Sequence, residues 1–161
     1  MQDAMLTRRA WIATLGRTFA AGAALGALIP ARANAAGRPT LTVYKDPSCG
    51  CCTKWVEHLR AAGLELVVHD RTDMDALKDS LGVPATLRSC HTAVAGKYVI
   101  EGHVPAPDIK RLIATAPKGI VGVAVPGMPA GSPGMEMGGR ADHYDVIAFS
   151  ASGAAKMFAR H

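Results

Sequence analysis

The hydrophobic pattern switches between two periods along the chain. Thr40 to Tyr44 alternates apolar and polar, with Leu41 and Val43 on one side, and predicts a first strand. Pro47 and Ser48 turn the chain, with Ser48 as the expected helix cap. From Thr53 to Ala62 the spacing becomes helical. Trp55, Leu59 and Ala62 share one side, Lys54, Glu57, His58 and Arg60 fall mostly on the other, and Gly63 marks the stop. Leu64 to Val68 predicts a second strand. Asp73 opens a second helix that runs to Leu81, with Leu77 and Leu81 inward and Gly82 as its end.

Val83 to Leu87 reads as the opening of a third strand leading to Ser89-Cys90-His91. Gly96 turns it back into an antiparallel partner, Tyr98 to Glu101. Pro107 to Ala116 is a third helix, with Ile109, Leu112 and Ile113 inward. The order is β-α-β-α-β-β-α, an α/β fold of thioredoxin-like arrangement. Pro84 is expected at the mouth of the third strand, facing the first strand-to-helix junction, with Pro105 the weaker candidate. From about residue 118 the chain runs on past that core. An apolar stretch, Lys118 to Val125, precedes a Pro/Gly-rich run, Pro126 to Gly139. Asp145 to Ser150 and Ala155 to Ala159 then predict a hairpin around Ser152-Gly153. The extension is therefore a long loop and a β-hairpin, and a loop of that length in a small domain commonly carries function.

The first 35 residues read differently. Arg8-Arg9 begins a basic segment of twin-arginine type, an alanine-rich run follows from Thr18 to Pro30, and Ala31-Arg32-Ala33-Asn34-Ala35 offers small-residue cleavage sites. The apolar run falls short of the ~20 residues a spanning helix needs, so cleavage is expected rather than stable membrane insertion. Removing 35 of the 161 residues leaves 126 (161 less 35), one domain at 36–161. The leader carries four arginines and one aspartate, so the formal charge drops from +5 to +2 (5 less 3). With no basic run left and few aromatics, a nucleic-acid surface is not expected. The expected location is the periplasm, where free thiols persist only if metal or a reducing partner protects them.

Against that background the cysteines stand out. Asp46-Pro47-Ser48-Cys49-Gly50-Cys51-Cys52 puts three of the four within four positions, and the fourth, Cys90, precedes His91. The cluster falls at a helix N-terminus, where backbone N–H groups and the helix dipole favour thiolate. Two structural disulfides fit poorly. Neighbouring Cα atoms are about 3.8 Å apart, whereas an unstrained bridge spans roughly 4.4–6.8 Å. Cys49 and Cys52 have the C-x-x-C spacing of a redox pair. A compact site shared by several thiolates, for soft metal or for redox chemistry, accounts for more of the cluster. The loop adds the soft thioethers of Met128, Met135 and Met137. His91, His103 and His143 are candidate imidazole ligands, while His58 and His69 read as solvated or locally satisfied and His161 as a tail residue. Soft sulfur with imidazole, outside the cytoplasm, favours copper over calcium or magnesium.

Four blocks carry a resemblance. They are Tyr44 to Trp55, then Gly82-Val83-Pro84 with Ser89-Cys90-His91-Thr92, then Glu101-Gly102-His103-Val104-Pro105-Ala106, then Gly127-Met128-Pro129 with Gly131-Ser132-Pro133-Gly134-Met135-Glu136. In this order they are similar to the CopG-like family of exported, metal-binding copper-resistance proteins, over nearly the whole mature chain. The resemblance implies a thioredoxin-like fold and a cysteine-bridged cluster of several copper ions at the C-x-C-C motif. Cys49, Cys51, Cys52 and Cys90 match the family's thiols, and the named histidines and methionines fall at motif positions. The reading is an exported Cu(I)-sequestering protein in copper resistance. Copper redox activity and exchange with other periplasmic copper-handling or redox partners follow as expectations. Two alternatives stay open: a thiol–disulfide oxidoreductase using Cys49 and Cys52, and a structural zinc site.

Overall fold

A computed structural model describes residues 40–136 and 138–161; the expected leader and Met137 lie outside the described residues. The elements are β1 (Leu41–Lys45), α1 (Gly50–Ala61), β2 (Leu66–Asp70), α2 (Met74–Ser80), β3 (His91–Ala95), β4 (Tyr98–Glu101), α3 (Ala106–Thr115), β5 (Gly122–Ala124), β6 (Asp145–Phe149) and β7 (Ala155–Arg160). All seven strands join one sheet in the order β2-β1-β3-β4-β5-β6-β7. β1 runs parallel to β2, and β4 parallel to β5. The other pairings are antiparallel.

Strand alternation decides which layer covers which face. Leu41 and Val43 of β1 pair in register with Ala95 and Ala93 of β3, and these with Tyr98 and Ile100 of β4. That face packs against Trp55, Val56 and Leu59 of α1 and Ile109 and Leu112 of α3 in the main core. The opposite face holds a smaller cluster of Val83, Leu87, Val99, Ala124 and Phe149. There too α2 sends Lys78 onto Thr92 and Glu101. α1 ends as its sequence predicts. Gly63 adopts φ 79°, its N–H bonds the Arg60 carbonyl and the Leu64 N–H bonds that of Leu59, which satisfies two free helix carbonyls.

Several boundaries differ from the sequence expectation. α1 starts at Gly50 rather than Thr53, so Cys51 and Cys52 lie inside its first turn. Its cap is Cys49, not Ser48. Ser48 instead closes a turn on the Asp46 carboxylate. β2 begins two residues later than expected, at Leu66. The segment expected to open the third strand forms a 3₁₀ turn, Ala85–Leu87. Pro84 offers no N–H to a ladder, and local bonds from Leu87 N to Pro84 O and from Arg88 N to Ala85 O serve the backbone instead. β3 therefore starts at His91, and the residue at its mouth is Cys90, not Pro84. The apolar stretch after α3 supplies β5, which extends the sheet from β4 and carries the predicted hairpin, β6 and β7. Among the described residues no helix is long and apolar enough to cross a membrane.

Candidate metal centre

The centre assembles where β1 ends, β3 begins and β4 turns into α3. After β1, the Asp46 carboxylate accepts from the Ser48 backbone N–H at 2.8 Å and from its hydroxyl, which lowers the carboxyl pKa. That turn delivers Cys49 to the head of α1, where its sulfur accepts from the Cys52 N–H at 3.4 Å. Cys49 and Cys52 are joined as a disulfide, their Cα atoms 5.4 Å apart, while Cys51 and Cys90 are free. Cys51 Sγ lies 3.4 Å from Cys49 Sγ. The four sulfurs lie within 4.8 Å of one another. Cys52 is fully buried and the other three are half-buried.

Two imidazoles complete it from behind. Cys90, His91 and His103 form a second group of donor atoms within the same 4.8 Å limit. Cys90 Sγ is 3.0 Å from His103 Nε2 and 3.3 Å from His91 Nδ1. His103 Nδ1 lies 2.8 Å from the Pro133 carbonyl, which can only accept, so Nδ1 carries the proton. The Nε2 lone pair of His103 is thereby aimed at Cys90. His91 stacks obliquely on Trp55, ring centroids 4.2 Å apart, and its Nε2 has no partner among the described residues. Both rings are wholly buried. Burial lowers the pKa of each, strongly for His91, and so holds them neutral. Burial, then negative charge at Cys51, pushes the Cys90 thiol up to about 12. Without metal Cys90 is a protonated thiol beside neutral imidazoles, and an ion that binds there displaces its proton.

The surroundings fix these side chains. Trp55 Nε1 donates to the Val104 carbonyl at 2.9 Å, tying α1 to the chain beside His103. The Pro/Gly-rich loop reaches over the head of α1. A Cβ on Gly134 would stand 2.7 Å from Cys51 O and 2.8 Å from Trp55 N, so only glycine permits this approach. Beneath Cys90, the Glu101 carboxylate takes the Ser89 N–H at 2.7 Å, the Thr92 hydroxyl at 2.6 Å and the Lys78 ammonium. The Ser89 hydroxyl donates to Gly127 O. A Cβ on Gly102, at φ 70°, would stand 2.5 Å from Ser89 Cβ.

Of the residues expected from sequence, the fold brings together Cys49, Cys51, Cys52, Cys90, His91 and His103. Met135 is half-buried next to Gly134, and Met128 is exposed next to Gly127. His143 is exposed and lies in neither donor group, beside a shallow depression with Tyr144, Asp145 and Arg160. Lys78, Ser89, Glu101 and Pro133 went unread as site residues. Ser89, Glu101 and Pro133 fall in the motif blocks without a role of their own, and Lys78 falls in none.

Sulfur and neutral imidazole are a donor set for a soft or borderline ion. Among curated proteins none matches the chain. The family described as "Protein of unknown function, DUF411" matches residues 87–135. Two solved structures described as copper resistance protein copG, forms 1 and 2, are 48% and 46% identical to this chain. Each covers 76% of it and 98% of its own length, with TM-scores of 0.72 and 0.73. Identity of that order, across almost the whole of those proteins, means that the chain belongs to the CopG family of copper resistance proteins.

Proposed function

We propose that this is an exported, periplasmic protein that sequesters Cu(I) for copper resistance in a polynuclear site bridged by Cys49, Cys51, Cys52 and Cys90. His91 and His103 stand behind the sulfurs. Met128, Met135, Met137 and His143 are the further ligand candidates on the loop and beyond. One observation carries the reading: four sulfurs within 4.8 Å of one another, one of them also against two imidazoles. A thiolate has lone pairs enough to bridge two Cu(I) ions, and sulfurs this close suit one shared cluster better than separate sites. The Cys49–Cys52 bond must first be reduced, because disulfide sulfur lacks the thiolate charge that holds metal. A thioredoxin-like core is supported by the order β2-β1-β3-β4, with β3 antiparallel to its neighbours.

The test is copper content after anaerobic reduction, for wild type and Cys51→Ser. Several coppers per chain are expected in the wild type, and most are lost in the variant. Unchanged content in the variant would defeat the reading. The Cys49–Cys52 disulfide favours a second reading, a thiol–disulfide oxidoreductase. That reading predicts disulfide turnover without metal, and turnover that survives Cys51→Ser. One tightly held zinc would indicate the structural metal site instead.

A further inference from the structure

The two donor groups share Cys90 but respond differently to oxidation. The Cys49–Cys52 bond removes two of the four sulfurs from the first group. It leaves Cys90, His91 and His103 untouched. We propose that this triad is a separate mononuclear site, which holds one Cu(I) while Cys49 and Cys52 are bonded. The protein then has two copper-binding states, one ion when oxidised and a cluster when reduced. This deepens the copper-binding reading above and rests on it.

Geometry supports the triad. Metal–sulfur and metal–nitrogen bonds of about 2.3 and about 2.0 Å place the two donors about 3.7 Å apart around one trigonal ion. Cys90 Sγ stands 3.3 and 3.0 Å from the two imidazole nitrogens, so binding needs the donors to separate by less than about 1 Å. The Pro133 carbonyl orients His103 through its other nitrogen, as outer partners of metal-bound histidines do. Both rings are buried, so little motion or water competes for their lone pairs. One thiolate with two imidazoles is a trigonal copper set, whereas structural zinc takes four protein ligands. The alternative for the oxidised state is Cu(I) between Cys51 and Cys90. Cys51 also lies within 4.8 Å of Cys90 but adds one donor, whereas the two rings add two at 3.3 and 3.0 Å, and this favours the triad.

Passage between the states is a balanced exchange. A dithiol reductant breaks the Cys49–Cys52 bond and forms its own disulfide. Two electrons and two protons pass to the pair, which becomes two thiols ready to take further Cu(I) with loss of those protons.

The experiment uses protein whose disulfide and two free thiols are verified by mass spectrometry. Anaerobic Cu(I), supplied as its acetonitrile complex, is titrated against a chromophoric Cu(I) chelator, and X-ray absorption reads the ligands of the bound ion. One Cu(I) per chain with one sulfur and two nitrogen neighbours is expected. His103→Ala should weaken binding at least tenfold, and His69→Ala, which alters an exposed β2 histidine, should not. An oxidised protein that binds no Cu(I), or binds it through two sulfurs, overturns the proposal. The same titration after reduction separates the two claims. Several coppers in the reduced form with none in the oxidised form defeats only the triad, and none in either form defeats the copper-binding reading itself.

Discussion

At the residue scale, the buried imidazoles make metal-free stability depend on pH in one direction. His91 and His103 both titrate below their ordinary value of 6.5 because burial disfavours the charged form. As pH falls through about 6.5 the unfolded chain takes up protons that the folded chain refuses, so stability must fall. Cys90 sets the alkaline edge. Its folded value of about 12 exceeds the ordinary 9.0, so above that ordinary value the unfolded chain loses a proton the folded chain keeps. Stability should therefore decline again at alkaline pH. Melting of the metal-free protein across about pH 5 to 10 checks this. The expected profile has a plateau near neutrality and falls on both sides. A melting temperature that rises steadily toward acid would contradict the buried, neutral assignment of the two rings.

At the scale of elements, α2, β3 and β4 meet in a buried ion pair that holds the Cys90 strand end. Lys78 is 3% exposed and Glu101 wholly buried, with Thr92 and the Ser89 N–H completing the carboxylate's partners. Removing one member of such a pair leaves an uncompensated buried charge, at a cost of about 3–5 kcal/mol. Glu101→Ala is expected to lose about that much in urea unfolding, and Lys78→Met added to Glu101→Ala to recover most of it. Equal stability of wild type and Glu101→Ala would make the pair incidental. This network also shows where sequence reading ends. β1, α1, β4, α3 and the β6–β7 hairpin were legible because alternation and helical spacing are local signals. Lysine in a helical pattern reads as the wet face, so α2 was expected to turn Leu77 and Leu81 inward, and Lys78 was passed over. Its partner lies 23 positions away with no local mark. The C-x-C-C run and Cys90-His91 were legible as chemistry. Gly134 and Pro133 stood in a motif block, but their roles were not legible, because these exist only once the loop lies against α1 and His103. The apolar run at Val83 to Leu87 misled for a related reason: burial in the second cluster calls for apolar residues whether the backbone is strand or 3₁₀ turn.

At the scale of the whole molecule, the site joins four segments that are distant in the chain: the head of α1, the start of β3, the β4–α3 turn and the loop at Pro133–Gly134. A metal cluster held by the first three, as proposed, would act as a cross-link that the unfolded chain cannot reproduce, and its binding energy would become folding energy. At a free Cu(I) concentration a thousand times the dissociation constant, that linkage adds about 4.1 kcal/mol. Each kcal/mol raises the melting temperature by roughly 2–8 °C for domains in this size range. Reduced protein loaded with copper is therefore expected to melt about 10 °C or more above its metal-free form. A strong Cu(I) chelator should reverse the gain. The disulfide form should gain less, because two of the four sulfurs are withdrawn. Calorimetry of each form, loaded and metal-free, at one pH decides the matter. Equal melting temperatures for loaded and metal-free reduced protein would mean that copper, if bound, does not draw the three ligand-bearing segments together. The four sulfurs would then be neighbours by fold alone.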